Sequence, residues 1–119
     1  MTKTKPEKRS RPLILDLHGA FIRRTSLRGA NCTRANFTGA DCTGADFTEA
    51  NLTEANLTDA NFTDAILRSA NLLNTRLDRT ILKGADLTGA RNLSAEQVSR
   101  AVIDQKTLLP KSIARPQAA

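Results

Sequence analysis

Residues 35–65 read ANFTGADCTGADFTEANLTEANLTDANFTDA, which is six five-residue units in succession followed by an alanine. The period continues on both sides of this stretch, because every fifth residue from Ile22 to Leu87 is apolar. The residue two positions before each of these is Ala in 11 of 14 cases and Thr in the other three. One short pattern therefore governs most of the chain.

A period of five matches neither an α-helix, with about 3.6 residues per turn, nor the two-residue alternation of a strand. It requires a backbone that turns at a fixed interval, and it predicts an all-β solenoid. Residues two apart in an extended chain point to the same side. The Ala and the Leu or Phe of each unit are therefore predicted to face inward together, while Asn, Asp and Gly suit the turns.

The consensus Ala-(Asn/Asp)-(Leu/Phe)-Thr-(Gly/acid) over residues 20–90 resembles the pentapeptide-repeat family. The resemblance implies a right-handed quadrilateral β-helix with one unit per side and four units per coil, here about 3.5 coils. Residues 20 apart would then stack, and we expect cross-coil pairs between Arg34 and Glu54 and between Asp59 and Arg79. The stretch 90–110 also resembles the C-terminal ends of bacterial members.

The pattern divides the chain into four parts. Residues 1–12 are basic and poor in apolar residues, which predicts a disordered arm, and residues 13–90 are predicted to form the β-helix. Ser94 and Gln97 make a capping-box pattern, which predicts a helix over roughly 95–104 within a C-terminal helical cap at 91–110. Residues 111–119 are expected to be a flexible tail.

The net charge of +6 comes from the ends of the chain. Residues 25–90 carry six Lys/Arg against eight acids, whereas residues 1–24 carry seven against two. No stretch is apolar enough to span a membrane, and the break at Asp16 makes Leu13-Ile14-Leu15 a poor signal-peptide core. With the family resemblance, these features predict a protein of the bacterial cytoplasm.

No catalytic constellation is visible in the sequence. His18 is the one histidine, and it lacks the acid and nucleophile partners that catalysis requires. With four units per coil, Cys32 and Cys42 are expected at inward positions on opposite sides of the tube, so neither a disulfide nor a metal site is expected. We predict no enzyme activity and no cofactor.

The apolar residues Ile66, Leu73 and Ile81 stand at outward positions late in the repeat. They indicate an interface with another protein or a second copy of the chain. An alternative is that the C-terminal tail covers them through Leu108 and Leu109. The candidate partner surface adds the arginines nearby and consists of Ile66, Arg68, Leu73, Arg76 and Ile81.

The predicted second coil, residues 40–59, has five acids and no base. Some members of the family resemble duplex DNA in charge and bind DNA gyrase, so this acidic belt offers an alternative function as a topoisomerase-binding DNA mimic. The basic arm offers a direct contact with nucleic acid. The candidate belt consists of Asp41, Asp46, Glu49, Glu54 and Asp59.

Overall fold

A computed structural model describes residues 14–115 of the chain. Its backbone forms a tube of stacked coils, in which parallel single-residue bridges join residues 20 apart, from Asp16 with Asn36 to Asn71 with Arg91. The offset of 20 means that four five-residue units complete one coil. Within residues 14–115 the bridges are isolated, because the chain turns after each of them.

The four sides of the tube are defined here by the residues that form these bridges. Side A is followed along the chain by sides B, C and D, so side A lies opposite side C and side B lies opposite side D. The bridging ladders are Asp16, Asn36, Asn56 and Arg76 on side A; Phe21, Asp41, Asn61 and Ile81 on side B; Ser26, Asp46, Ile66 and Asp86 on side C; and Asn31, Asn51, Asn71 and Arg91 on side D.

Each side ends at a corner residue in the left-handed region of backbone conformation. Every fifth residue from 19 to 89 has a φ between 56° and 70°, and nine of these fifteen corners are not glycine. In the unit Ala35–Gly39, Ala40 N–H donates to the carbonyl of Phe37 at 2.9 Å, which closes a turn around Thr38 and Gly39. A left-handed third residue is what a type II turn requires, at a cost of about 1–2 kcal/mol for a residue with a side chain.

Every backbone N–H group of the regular unit Ala35–Gly39 is paired. Phe37 and Gly39 donate to the next coil, at the carbonyls of Asn56 and Thr58, and Asn36 donates to the previous coil. The Thr38 N–H is left out of this ladder, and the Oδ1 of Asn36 accepts it at 3.0 Å and the Thr38 hydroxyl at 2.6 Å. The Asn or Asp that precedes the central residue, which we call the Asx position, therefore completes the pairing of its unit.

The small and the central residues of each unit fill the tube, as the alternation predicts. From Cys32 to Leu87 all of them are buried, with the large side chains of Phe37, Phe47 and Phe62 fully enclosed. These three rings come from sides A, C and B and contact one another, with centroids 5.2–6.2 Å apart. Aromatic pairs at this spacing contribute about 0.5–1.5 kcal/mol beyond their burial.

Threonine replaces alanine at two buried positions near the end of the tube. The hydroxyls of Thr75 and Thr80 donate to the carbonyls of Leu52 and Leu57 in the coil below, each at 2.7 Å. These bonds satisfy groups whose burial would otherwise cost free energy.

The C-terminal segment leaves the regular array of bridged coils, which we call the lattice, and then returns to it. Helix α1, Ala95–Arg100, has Ser94 as N-cap with both bonds of the capping box. It ends four residues before the predicted boundary at 104, because Ala101 is extended with φ −93° and ψ 166°. Of the predicted cap at 91–110, only these six residues are helical.

After α1 the chain pairs with the last coil again. Val102 bridges Ile81, and Leu108 bridges Asp86. In both bridges the partners are slightly more than the 20 residues of a regular coil apart. Thr107 occupies a buried position and donates to the Leu82 carbonyl at 2.8 Å. The predicted arm, residues 1–12, and the tail residues 116–119 lie outside the described residues.

The Asx position can be tested at Asn56, whose Oδ1 accepts from the Thr58 N–H at 3.0 Å and from its hydroxyl at 2.5 Å. Replacing Asn56 with Ala removes this acceptor, and we expect the free energy of unfolding to fall by about 1–3 kcal/mol in urea denaturation. Asn56→Asp keeps the acceptor, as Asp46 does, and should be affected much less. Equal losses in the two variants would contradict this role.

Candidate interaction surfaces

The acidic belt is largely neutralised by arginines of the neighbouring coils. Four of its five carboxylates lie within ion-pair distance of a guanidinium, and Glu49 is the one without such a partner in residues 14–115. The pairs are Arg23 with Asp41 at 3.8 Å, Arg28 with Asp46 at 3.3 Å, Arg34 with Glu54 at 3.6 Å and Arg79 with Asp59 at 2.7 Å.

The two stacked pairs expected from the offset of 20, Arg34 with Glu54 and Asp59 with Arg79, are confirmed. The sequence reasoning missed a second kind of pair, which joins partners slightly less than one coil apart, as in Arg28 with Asp46 and Arg68 with Asp86. Here an arginine at the threonine position reaches the Asx position of the next coil. The sequence signal for such a pair is an Arg at the threonine position of one unit together with an Asp at the Asx position that it reaches in the next coil.

The belt residues at Asx positions are also held by their own units. Asp41 accepts from Thr43 and Asp46 from Thr48, through both the hydroxyl and the N–H of each threonine. The hydrogen bond from the Thr43 hydroxyl is the main cause that lowers the pKa of Asp41, and the Thr48 hydroxyl does the same for the pKa of Asp46. These carboxylates stabilise the lattice in their charged form.

The lowered pKa values predict a loss of stability in acid. An unfolded carboxyl with its ordinary pKa of 3.8 takes up a proton at a higher pH than the folded one. The contribution of the charged carboxylate to the free energy of unfolding is therefore complete above the ordinary pKa, and it is lost as the pH falls through the pKa of the folded state. We expect Asp46→Asn, which keeps Oδ1 as at Asn61, to show a smaller fall in melting temperature between about pH 6 and pH 3 than the wild type.

The matched control for this variant is Glu49→Gln, which changes an acid outside the ion pairs. Its melting temperature should follow the wild-type dependence on pH. If Asp46→Asn shows the same dependence as both, the charge of Asp46 does not contribute to stability.

The candidate partner surface does not form one patch. The bridge ladders place Ile66 and Arg68 on side C, Leu73 on side D, Arg76 on side A and Ile81 on side B. They are near one another in sequence but lie on all four sides, because the chain passes three corners of the tube between Ile66 and Ile81. Arg68 is also engaged by Asp86 at 2.9 Å.

A smaller apolar surface does form at the C-terminal end of sides B and C. Val102 bridges Ile81 on side B and is 40% exposed, and Leu108 continues the ladder of side C and is 52% exposed. Leu108 thus extends the apolar surface instead of covering it, whereas Leu109 packs against the core. Val102 was missed because the sequence assigned it to the helix. We call Ile81, Val102 and Leu108 the aliphatic edge.

Two other residues of the candidate surface lie together in a groove at the corner of the tube opposite the aliphatic edge. Leu73 and Arg76, from sides D and A, line a groove of about 550 Å³ whose far wall is formed by Asn92 and helix α1. Leu73 is 42% exposed. Sequence reasoning gave no sign of this groove, because it exists only where α1 leaves the lattice.

The two thiols and the imidazole of the described part of the chain differ in exposure. Cys32 and Cys42 are free and buried. His18 lies at the surface and, unlike the sequence expectation, has an acid neighbour, because its Nδ1 is 3.0 Å from a carboxylate oxygen of Asp16. Within residues 14–115 no group of three or more His, Cys, Asp or Glu side chains could hold a metal ion. No helix in the same range has the length and apolar character needed to cross a membrane.

Burial raises the pKa of the Cys42 thiol to about 12. Because the thiolate is the reactive form, we expect iodoacetamide at about pH 8 to leave Cys42 unmodified in the folded protein and to alkylate both thiols in denaturant. Intact-protein mass spectrometry measures the number of adducts. Alkylation of the folded protein at the rate of free cysteine would show that the tube opens.

A tube whose coils pair in parallel, with four corners in each coil, is a quadrilateral parallel β-helix. The family of pentapeptide repeats matches residues 16–53 and 55–91 with eight copies, and the chain belongs to this family. Its members form right-handed quadrilateral β-helices and are generally non-catalytic scaffolds. No curated protein matches the sequence significantly.

A solved structure with the same fold is that of a pentapeptide repeat protein, Rfr23, from the cyanobacterium Cyanothece 51142. It is 24% identical, with a TM-score of 0.72 over 85% of this chain and 67% of that chain. A pentapeptide repeat protein from the Arabidopsis thaliana thylakoid lumen is 27% identical, with a TM-score of 0.40 over 81% of this chain and 55% of that one. A pentapeptide repeat protein from Nostoc is 21% identical, with a TM-score of 0.40 over 81% and 85%.

Proposed function

We propose that this chain is a non-catalytic scaffold that binds another protein through the aliphatic edge. The observation that carries the proposal is Ile81, which stands at an Asx position beneath Val102. Ten units of the tube, counting that of Asp16, place Asn or Asp there, whose Oδ1 pairs with the N–H two residues later. Isoleucine cannot accept this bond, so its presence does not serve the lattice.

The surroundings of Ile81 support the same function. The Lys83 N–H, which an Asx residue at position 81 would satisfy, has no acceptor within residues 14–115. An aliphatic pair on the outer surface gains free energy when a partner removes it from water. The rigid coil below it presents the pair with little conformational entropy left to lose on binding.

The test is a double variant, Ile81→Asn with Val102→Thr, compared with the wild type by affinity capture from host lysate and mass spectrometry. The asparagine introduced at position 81 can bond the Lys83 N–H as its equivalents do, so the melting temperature should not fall. We expect the proteins captured by the wild type to be lost. Capture by the wild type should also persist at about 1 M salt, because apolar contacts are not screened.

The matched control is Phe21→Asn, since Phe21 is on the same side, at the far end of the ladder, and 86% exposed. This variant should capture the same proteins as the wild type. An unchanged captured set in the double variant, or an equal loss in the control, would overturn the proposed surface.

The second candidate function, mimicry of DNA by the acidic belt, has less support. B-DNA carries a charge about every 1.7 Å along its axis, and four of the five belt carboxylates here are paired with arginines. Direct binding of nucleic acid through the basic arm depends on residues outside the described range. Loss of the captured proteins at moderate salt would favour one of these charge-based functions.

A further inference from the structure

The groove between α1 and the tube contains an open edge of the β-helix. In the coil below it, Glu54 donates to the carbonyl of Leu73 at 2.8 Å, and Leu57 donates to that of Arg76 at 2.9 Å. One coil further on, the equivalent donors are the N–H groups of Asn74 and Leu77. Within residues 14–115 neither has an acceptor, because the chain leaves the lattice to form α1.

The acceptors of the same edge are satisfied. Gln97, on α1, donates from Nε2 to the carbonyls of Leu72 and Thr75, at 2.8 and 2.9 Å. Its side-chain amide thereby takes the place of a backbone N–H of the missing unit. The edge is left with donors only, and a group that completes it must supply acceptors.

Two side chains of the groove limit further which ligand could complete the open edge. Arg76 has no carboxylate partner within the described part of the chain, whereas Arg100 on the opposite wall is held by Asp78 and Glu96. Leu73 stands at the threonine position of its unit and exposes 42% of its surface. The groove therefore offers two backbone donors, an unneutralised guanidinium and an aliphatic surface, while the two carboxylates that also line it, Asp78 and Glu96, are both paired with Arg100.

We propose that this groove binds an extended acidic peptide segment of another protein, which adds to the open edge as a short strand. Its carbonyl oxygens would accept from Asn74 and Leu77, a carboxylate would pair with Arg76, and an aliphatic side chain would pack on Leu73. Strand addition of this kind draws its affinity from main-chain bonds and its specificity from alternate side chains. The volume of about 550 Å³ is within the usual range for binding grooves.

This site is independent of the proposed function, because the groove is on sides D and A whereas the aliphatic edge is on sides B and C. The probe is a capped five-residue peptide that alternates glutamate with valine, and the measurement is amide hydrogen exchange by NMR. In the free protein Asn74 and Leu77 should exchange much faster than Glu54 and Leu57. The peptide should slow the exchange of Asn74 and Leu77 selectively.

The variant for this test is Leu73→Thr with Arg76→Asn, which restores the family pattern at both positions. Its lattice should be intact, since Thr53 and Asn56 occupy the equivalent positions one coil below. We expect this variant to bind the peptide about tenfold or more weakly. The Ile81→Asn/Val102→Thr variant should bind it like the wild type.

Three results would overturn the proposal. The first is that the peptide leaves the amide exchange of Asn74 and Leu77 unchanged. The second is that a peptide with lysine in place of glutamate slows this exchange equally. The third is that sodium acetate alone slows it equally, which would indicate a simple anion site. If the Leu73→Thr/Arg76→Asn variant binds the peptide with wild-type affinity, Leu73 and Arg76 do not contribute to the binding.

Discussion

The hydrogen bond from each threonine N–H to the Asx oxygen two residues earlier is the interaction on which the tube depends. A chain that turns every five residues cannot keep all its N–H groups in one ladder, and the group just before each corner is the one left out. An acceptor at the Asx position pairs it locally, as Asn36 does for Thr38. Because Asn and Asp supply the same Oδ1, both occur there, and threonine adds a second bond through its hydroxyl.

This constraint also makes departures from the pattern informative. At a corner, Arg, Glu or Ser can replace Gly for a modest cost in backbone strain, as Arg24 and Ser69 do. At the Asx position, Ile81 and Arg76 give up an acceptor that the lattice uses elsewhere. One lies in the aliphatic edge and the other lines the groove. Both proposed binding sites thus lie where the chain deviates from what its own fold requires.

The sequence predicted the parts of the molecule that repeat. The period predicted a solenoid and the inward positions of Phe37, Phe47 and Phe62, and the offset of 20 correctly paired Arg34 with Glu54. It did not predict that the three rings contact one another, because side-chain packing across the tube has no five-residue signature. Pairs such as Arg28 with Asp46 were missed because a long side chain leans along the coil instead of reaching straight up.

The C-terminal features could not be read from the pattern, because they begin where it ends. The helical periodicity of Val98, Ala101 and Val102 was real, but pairing of Val102 with Ile81 in the last coil outweighed it. The groove arises from the same competition, since α1 removes one unit from side A, and Gln97 pairs with carbonyl groups of the open edge but not with the N–H groups of Asn74 and Leu77.

The ion pairs between coils give the coils a fixed order that the repeating backbone alone does not require. Arg34 and Arg79 belong to the coils on either side of Glu54 and Asp59. A tandem duplication of residues 40–59 would stack Glu54 on a second Glu54 and Asp59 on a second Asp59, and like charges that face each other across a ladder are destabilising. The coils are therefore not interchangeable modules, and lengthening this protein by copying one turn would require new charges as well as new backbone.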